Sequence, residues 1–74
     1  FNNTSSIEFY LPTNENVNIS INNVVGKVIR NEKMSGKKGS NNYILNAADF
    51  SNGVYFFSLT YLNQTITKKF VVNK

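Results

Sequence analysis

Apolar and polar residues alternate along several short stretches of the chain. The clearest alternation lies between Asn16 and Asn23, where polar residues separate Val17, Ile19 and Ile21. Successive side chains of a strand point to opposite faces, so this stretch has one apolar and one polar face. Residues 7–11 alternate in the same way and end at Pro12, which lacks the N–H needed to continue a ladder. Both stretches predict antiparallel strands packed on one side only.

The last third of the chain predicts a β-hairpin. Residues 51–53 form a small turn, and the runs 54–62 and 65–72 are rich in aromatic and β-branched residues. A short polar break at residues 63–64 separates the two runs. A hairpin alone is only marginally stable in water, so we expect the remaining strands to pack against it.

The middle of the chain predicts shorter elements and no helix of any length. We expect a third strand at 27–32, a basic Gly/Ser-rich loop at 33–42, a fourth strand at 43–45 that begins near Asn41, and a connection at 46–52. In that connection, residues 47–49 predict one loose turn, and Phe50 is expected to fold onto the core. Six or seven short strands at this spacing indicate an all-β antiparallel sandwich. The positions expected to be most buried are Ile19, Ile21, Leu45, Tyr55, Phe57 and Leu59.

The composition argues against catalysis and against a metal or cofactor site. With 74 residues, the chain is long enough for one domain with a small core. It contains no Cys and no His, which removes thiolate chemistry, the commonest general base and the commonest metal ligand. The four acidic residues are dispersed, and the GKKG sequence at 36–39 lacks the spacing of a phosphate-binding loop. We therefore expect no enzyme activity and no cofactor.

The charge distribution and the hydropathy pattern argue against two classes of partner. The formal net charge is +4, but the basic residues are scattered apart from two Lys-Lys pairs. A nucleic-acid-binding surface would need a denser basic stripe with aromatic residues beside it. No run approaches the ~20 apolar residues of a membrane span, so we expect no direct membrane insertion.

Some aromatic and glycine positions allow more than one interpretation. The residues that could form a carbohydrate-stacking platform, or could simply cover a small core, are Tyr10, Tyr43, Tyr55, Phe56 and Tyr61. A platform requires coplanar, exposed rings on one face. Gly26 and Gly53 occur where turns meet strands, so we expect both to act through a positive φ or through close packing.

Several short motifs occur in a characteristic order. They are the opening at 1–9, Leu11-Pro12, residues 17–21 followed by 23–28, Gly39 and Asn41 before Tyr43 and Leu45, the segment 50–56 (FSNGVYF), and the terminal run 66–72 (ITKKFVV). In order and spacing, over essentially the full length, the chain resembles the C-terminal sorting domain of the type IX secretion system, common in Bacteroidetes. It departs from the family pattern in having Phe50 for Leu, an Asn-Lys ending and no Asn-Pro ahead of Phe1.

The resemblance implies a targeting module with an immunoglobulin-like antiparallel β-sandwich of about seven short strands. Residues 1–74 would form a single sorting domain excised from a larger secreted protein, with an N-terminal cargo domain in the same chain. In the family, an outer-membrane shuttle carries the folded cargo from the periplasm to a surface sortase. The sortase usually cleaves the domain and joins the cargo to an anionic lipopolysaccharide. The expected location is therefore the cell surface or the extracellular space.

The residues expected to carry recognition lie on the final strand: Ile66, Lys68, Lys69, Phe70 and Val72. A terminal edge strand can accept a partner strand by backbone pairing, and adjacent cations can fix its register. Alternatively, the two lysines only keep an exposed edge soluble. A function of another class also stays open, namely a carbohydrate-binding or adhesive accessory module of a surface enzyme, and a plain spacer domain is a third possibility.

Overall fold

Six strands and one 3₁₀ turn make up the fold. The computed structural model describes residues 2–74, so Phe1, the first residue of the expected opening, lies outside the described part. The elements are β1 (Thr4–Leu11), β2 (Glu15–Asn23), β3 (Val28–Gly36), β4 (Gly39–Asn46), the 3₁₀ turn (Ala47–Asp49), β5 (Gly53–Tyr61) and β6 (Gln64–Val72).

The strands form two antiparallel sheets. β1 pairs with β4 in a two-stranded sheet, and the larger sheet has the order β3-β2-β5-β6. The chain passes from one sheet to the other between β1 and β2, between β3 and β4, and between β4 and β5. The predicted antiparallel sandwich is confirmed. Six or seven strands were expected, and the described residues form six.

Alternation along the strands explains the core. The six positions expected to be most buried are all buried, five of them at 1% exposure or less. They come chiefly from β2 and β5, which lie in the middle of the larger sheet. The smaller sheet contributes Phe9, Leu11, Tyr43 and Leu45 to the same cluster. The core therefore lies between the two sheets, and the polar faces of the strands point outward.

The predicted long basic loop at residues 33–42 is wrong. β3 continues to Gly36 and β4 begins at Gly39, so only Lys37 and Lys38 remain between them. The N–H of Lys37 donates to Asn41 Oδ1 at 2.9 Å, and the N–H of Lys38 donates to Asn14 Oδ1 at 2.8 Å. These side-chain acceptors stabilise a tight turn, so no flexible loop forms between the two strands. Polar strand residues also extend the first strand, since β1 begins at Thr4, three residues before the alternation at 7–11.

The start of β1 and the end of β6 lie at one end of the sandwich, which we call the terminal end. The register places Thr4 opposite Asn46, and Gly53 opposite Val72. Asn23, the last residue of β2, is paired with Tyr55 near the start of β5, so the β2–β3 turn lies at the same end. The turns after β1, β3 and β5 lie at the opposite end.

Three glycines are constrained in two ways, two of them by backbone conformation and one by close packing. Gly26 has φ +87° and Gly53 has φ +153°, and a Cβ added at either residue would lie in open space. The packing alternative is therefore absent at both, and backbone conformation remains as the constraint. Gly36, which the sequence did not single out, is buried, and a Cβ there would collide with the Leu11 side chain and lie 3.1 Å from the Glu15 carbonyl oxygen.

Gly53→Val should destabilise the domain through its backbone alone. Residues other than glycine rarely adopt this conformation, and the strain should lower the free energy of unfolding by about 1–3 kcal/mol. Ser51→Val is the matched control, since Ser51 is exposed and two residues away; it should change that free energy by less than about 0.5 kcal/mol. Urea unfolding followed by circular dichroism measures both. Equal midpoints for Gly53→Val and the parent would show that residue 53 does not require glycine.

Candidate functional site

The apolar residues expected to carry recognition on β6 contact the core of their own domain. β6 is an edge strand of the larger sheet, with β5 as its neighbour there. Val72 is 1% exposed, while Ile66 and Phe70 are half-buried and pack against the core. In the folded domain, the two lysines are therefore the residues of the expected set whose side chains face solvent.

The two lysines differ in position. Lys68 lies on the same side of β6 as Ile66 and Phe70, yet it is exposed, and its Nζ donates to the Glu8 carbonyl oxygen of β1 at 3.4 Å. Its side chain therefore spans from the larger sheet to the smaller one. Lys69 lies on the outer face, paired in register with Phe56 of β5. Lysines of an edge strand also keep that edge soluble, which is the alternative role for both residues.

Three aromatic rings at the terminal end pack together and hold β6 against the rest of the domain. The rings of Phe50, Tyr55 and Phe70, which we call the Phe50 cluster, have centroids 5.2–5.5 Å apart. Tyr55 and Phe70 are stacked cross-strand neighbours, and the Tyr55 hydroxyl donates to the Ser51 carbonyl oxygen at 2.7 Å. Phe50 is 4% exposed, which confirms the prediction that it folds onto the core.

A polar network at the edge formed by β3 was not predicted. The Arg30 guanidinium donates to the Tyr43 hydroxyl and to Asp49 Oδ2, each at 3.1 Å, and its carbon lies 5.4 Å from the centre of the Phe50 ring. The Tyr43 hydroxyl in turn donates to Glu32. In the sequence, the only signal for this network was that Arg30 and Glu32 share one face of β3. The network joins β3 to β4 and to the 3₁₀ turn across the gap between the sheets.

Burial dominates the titration of Tyr43. Its removal from water, and then its hydrogen bond to Glu32, raise the pKa of the Tyr43 phenol, while the Arg30 guanidinium opposes this effect. The hydrogen bond from Arg30 to Tyr43 raises the pKa of the Arg30 guanidinium, and the hydrogen bond to Asp49 raises it further. Partial burial of Arg30 opposes both effects. Both side chains keep their neutral-pH forms, a protonated phenol and a guanidinium, so the network is structural rather than poised for proton transfer.

The five candidate aromatic residues do not form a carbohydrate platform. Tyr43 and Tyr55 are buried in the core, and Tyr61 is half-buried against it. Tyr10 is exposed on the outer face of the smaller sheet, and Phe56 is exposed on the outer face of the larger sheet. The two exposed rings therefore lie on opposite faces of the sandwich.

The described residues offer no other assembled chemical site. Between residues 2 and 74, no group of three or more His, Cys, Asp or Glu residues is positioned to hold a metal ion. Within the same part of the chain, every buried side-chain nitrogen or oxygen has a hydrogen-bond partner. Among these residues there is also no helix with the length and apolar character that a membrane crossing requires.

Comparison with known protein families yields a match over nearly the whole chain. The family model described as "Secretion system C-terminal sorting domain" matches residues 1–73 of this chain, which is nearly its whole length. Comparison with curated proteins and with solved structures found no significant match.

Proposed function

Because the chain belongs to the family of type IX secretion system C-terminal sorting domains, we propose that an outer-membrane shuttle and a surface sortase recognise it and that the sortase cleaves it from its cargo. Membership in the family implies a secretion signal that acts on a cargo chain and leads it across the outer membrane to the cell surface or outside. The resemblance seen in the sequence is thereby confirmed. In this proposal the domain itself is not catalytic.

The observation that carries the proposal is the position of β6. The final strand of the domain is at the edge of the larger sheet, and three of its side chains are anchored in the core. This anchoring fixes the strand in an extended conformation, so a partner strand could add to it with little loss of conformational entropy. In this proposal the inward side chains hold β6 in place, and the shuttle or the sortase reads its backbone and its outward residues.

The different positions of the two lysines give them different roles in the proposal. Lys69 points outward from β6, so a partner that approaches the outer face of this edge would meet its ammonium group. Lys68 is occupied with the Glu8 carbonyl oxygen of β1 and acts as a positioning residue that closes the gap between the sheets. Recognition should therefore depend on Lys69, whereas domain stability should depend more on Lys68.

Lys69→Ala should lower export without lowering stability. The test is a reporter fused ahead of this domain, behind a signal peptide, in a type IX-competent cell, with surface display measured by the susceptibility of intact cells to added protease. Loss of a contact worth about 1.4 kcal/mol would weaken recognition about tenfold. The isolated variant should melt as the parent does, because the Lys69 side chain is exposed on the outer face of β6.

Lys33→Ala is the matched control for this experiment. Lys33 is also exposed and points outward, but it lies on β3, the edge strand at the other side of the same sheet. Normal display of Lys33→Ala together with periplasmic retention of Lys69→Ala would support recognition at β6. Normal display of both variants would leave Lys69 with a role in solubility only. A parent reporter that stays in the periplasm would contradict the sorting function itself.

The carbohydrate-binding alternative receives no support from the arrangement of the aromatic residues. Its two exposed candidate rings, Tyr10 and Phe56, lie on opposite faces and cannot stack on one sugar chain. A sorting signal needs no such platform. The proposal therefore keeps one function, secretion, and assigns the aromatic residues mainly to the core.

A further inference from the structure

Four aliphatic side chains are exposed together at the β2–β3 turn. Val24 and Val25 are 65% and 83% exposed, and Val28 and Ile29, at the start of β3, are 52% and 42% exposed. We call these four residues the Val24 tip. Single exposed apolar residues are ordinary, but a cluster of them on a small domain indicates a contact surface.

The turn does not need these side chains for its own shape. The Gly26 N–H donates to the Asn23 carbonyl oxygen at 3.0 Å. The Asn23 side-chain oxygen accepts from the N–H groups of Val25 and Lys27 at 3.1 and 2.9 Å. Asn23 and Gly26 therefore define the turn, and polar residues would fit at 24 and 25 equally well. A requirement from outside the domain would explain why valines occur there.

A series of contacts connects the Val24 tip with the start of β1. The Asn3 carbonyl oxygen accepts from the Ala47 N–H at 2.8 Å, next to the first paired residue of β1. Two residues further, Asp49 forms an ion pair with Arg30 at 3.1 Å. Arg30 comes directly after Val28 and Ile29, the two tip residues at the start of β3. A domain joined ahead of β1 would therefore emerge at the same end of the sandwich as the tip.

We propose that the Val24 tip is the docking surface for the cargo domain that precedes this domain in the same polypeptide. The inference rests on the proposed function, since that function supplies the cargo domain. Lys27, an exposed basic residue, lies between Val25 and Val28 of the tip, while the acidic neighbour Asp49 is already paired with Arg30. The matching cargo surface should therefore be apolar in the middle, with a carboxylate at its rim.

Covalent connection makes such a small surface sufficient. Two domains joined by a short linker meet at an effective concentration in the millimolar range, so a patch with a Kd of about 0.1 mM would be roughly nine-tenths occupied. After cleavage the same patch would bind its former partner only weakly. Docking of this kind would hold the sorting domain in a fixed orientation to its cargo before cleavage and let it separate afterwards.

Site-specific photo-cross-linking in the complete cargo-bearing polypeptide tests this inference. A benzophenone amino acid replaces Val25 in one variant and Leu62 in the other. Leu62 is the matched control, because it is 59% exposed but lies in the turn between β5 and β6, at the opposite end. Mass spectrometry then locates the cross-linked peptides. We expect cross-links from position 25 to the cargo domain of the same molecule, at roughly ten times the yield from position 62.

Three outcomes would overturn the inference. These are equal yields from the two positions, cross-links from position 25 to a second copy of the chain, and cross-links from position 25 to lipid. The doubly substituted Val24→Ser/Val25→Ser polypeptide gives an independent readout, since hydrogen exchange across residues 22–30 should become faster than in the parent polypeptide. Unchanged exchange would also contradict docking. Export of the reporter is scored separately, so export without cross-links refutes only the docking, and cross-links without export refute only the sorting function.

Discussion

Ile19→Ala is expected to be among the most destabilising single substitutions in this domain. Ile19 is 0% exposed and lies on β2, which is paired on both sides, with Glu32 of β3 and Leu59 of β5 opposite it. Truncation removes buried methyl groups and leaves a cavity between the sheets, which should lower the free energy of unfolding by about 2–5 kcal/mol. A domain of this size should have only about 4–11 kcal/mol in total, so the substitution should remove a large share of its stability.

Chemical unfolding of the parent and two isoleucine variants measures this effect. Ile44→Ala removes the same atoms from a residue that is 62% exposed on the outer face of β4, and it should cost less than about 0.5 kcal/mol. The comparison separates burial from the intrinsic preference of isoleucine for strands. A loss below about 0.5 kcal/mol for Ile19→Ala would contradict the assignment of the inner face of β2.

Phe50→Ala should affect both stability and export. Phe50 is 4% exposed, and its ring contacts Tyr55, Phe70 and the Arg30 guanidinium. Its removal should lower the free energy of unfolding by about 3–5 kcal/mol. Phe70 would then lose its edge contact with the Phe50 ring, and the end of β6 should fray. If the secretion machinery reads an ordered β6, surface display of a fused reporter should fall at the same time.

Phe56→Ala is the matched control for Phe50→Ala. Phe56 is 37% exposed on the outer face of β5, so its truncation leaves no closed cavity and should cost about 1 kcal/mol or less. Hydrogen exchange resolved along β6 distinguishes local fraying from global unfolding, because only the former leaves β2 protected. Undiminished protection of residues 69–72 in Phe50→Ala would show that the Phe50 cluster does not hold the strand. Normal export of a variant in which the end of β6 is frayed would show that recognition does not depend on an ordered β6.

The core and the class of fold were predictable because a single physical rule governs both. Alternation at Val17, Ile19 and Ile21 fixes which face of β2 is buried, and a second sheet must cover that face. Phe50 was also predictable, since an isolated large apolar residue in a polar connection gains most by folding onto the core. The 3₁₀ turn at Ala47–Asp49 matches the loose turn that was expected there.

The missed features depend on contacts between residues that are distant in sequence. Strand residues 33–36 are polar on their outer side, so the sequence alone does not distinguish them from a loop, whereas pairing with β2 in the structure does. The clash that a side chain at Gly36 would make arises from Leu11 on another sheet. The contact of Lys68 with β1 likewise depends on how the two sheets are placed. Alternation gives the face of a residue, but not what lies opposite it.

The candidate recognition set was predicted as one group because sequence adjacency suggested a shared role. The structure divides it into three apolar anchors, one lysine between the sheets and one lysine on the outer face. Which of these residues meets the secretion machinery stays a prediction. The division nevertheless gives each lysine its own experiment, where a double substitution would have mixed a change of stability with a change of recognition.

The strand order also determines how the domain can fold. β2–β3 and β5–β6 are local hairpins, but β2 meets β5, and β1 meets β4, only after long loops have closed. Local pairs form in microseconds, whereas closing long loops costs entropy before any contact compensates for it, so sandwiches of this kind fold in about milliseconds to seconds. The slow step should be the joining of the two hairpins along β2 and β5. Until the β1–β4 sheet packs over them, the apolar faces of both hairpins stay open to solvent, so the unfolded chain should persist for longer than in a fold built from local contacts.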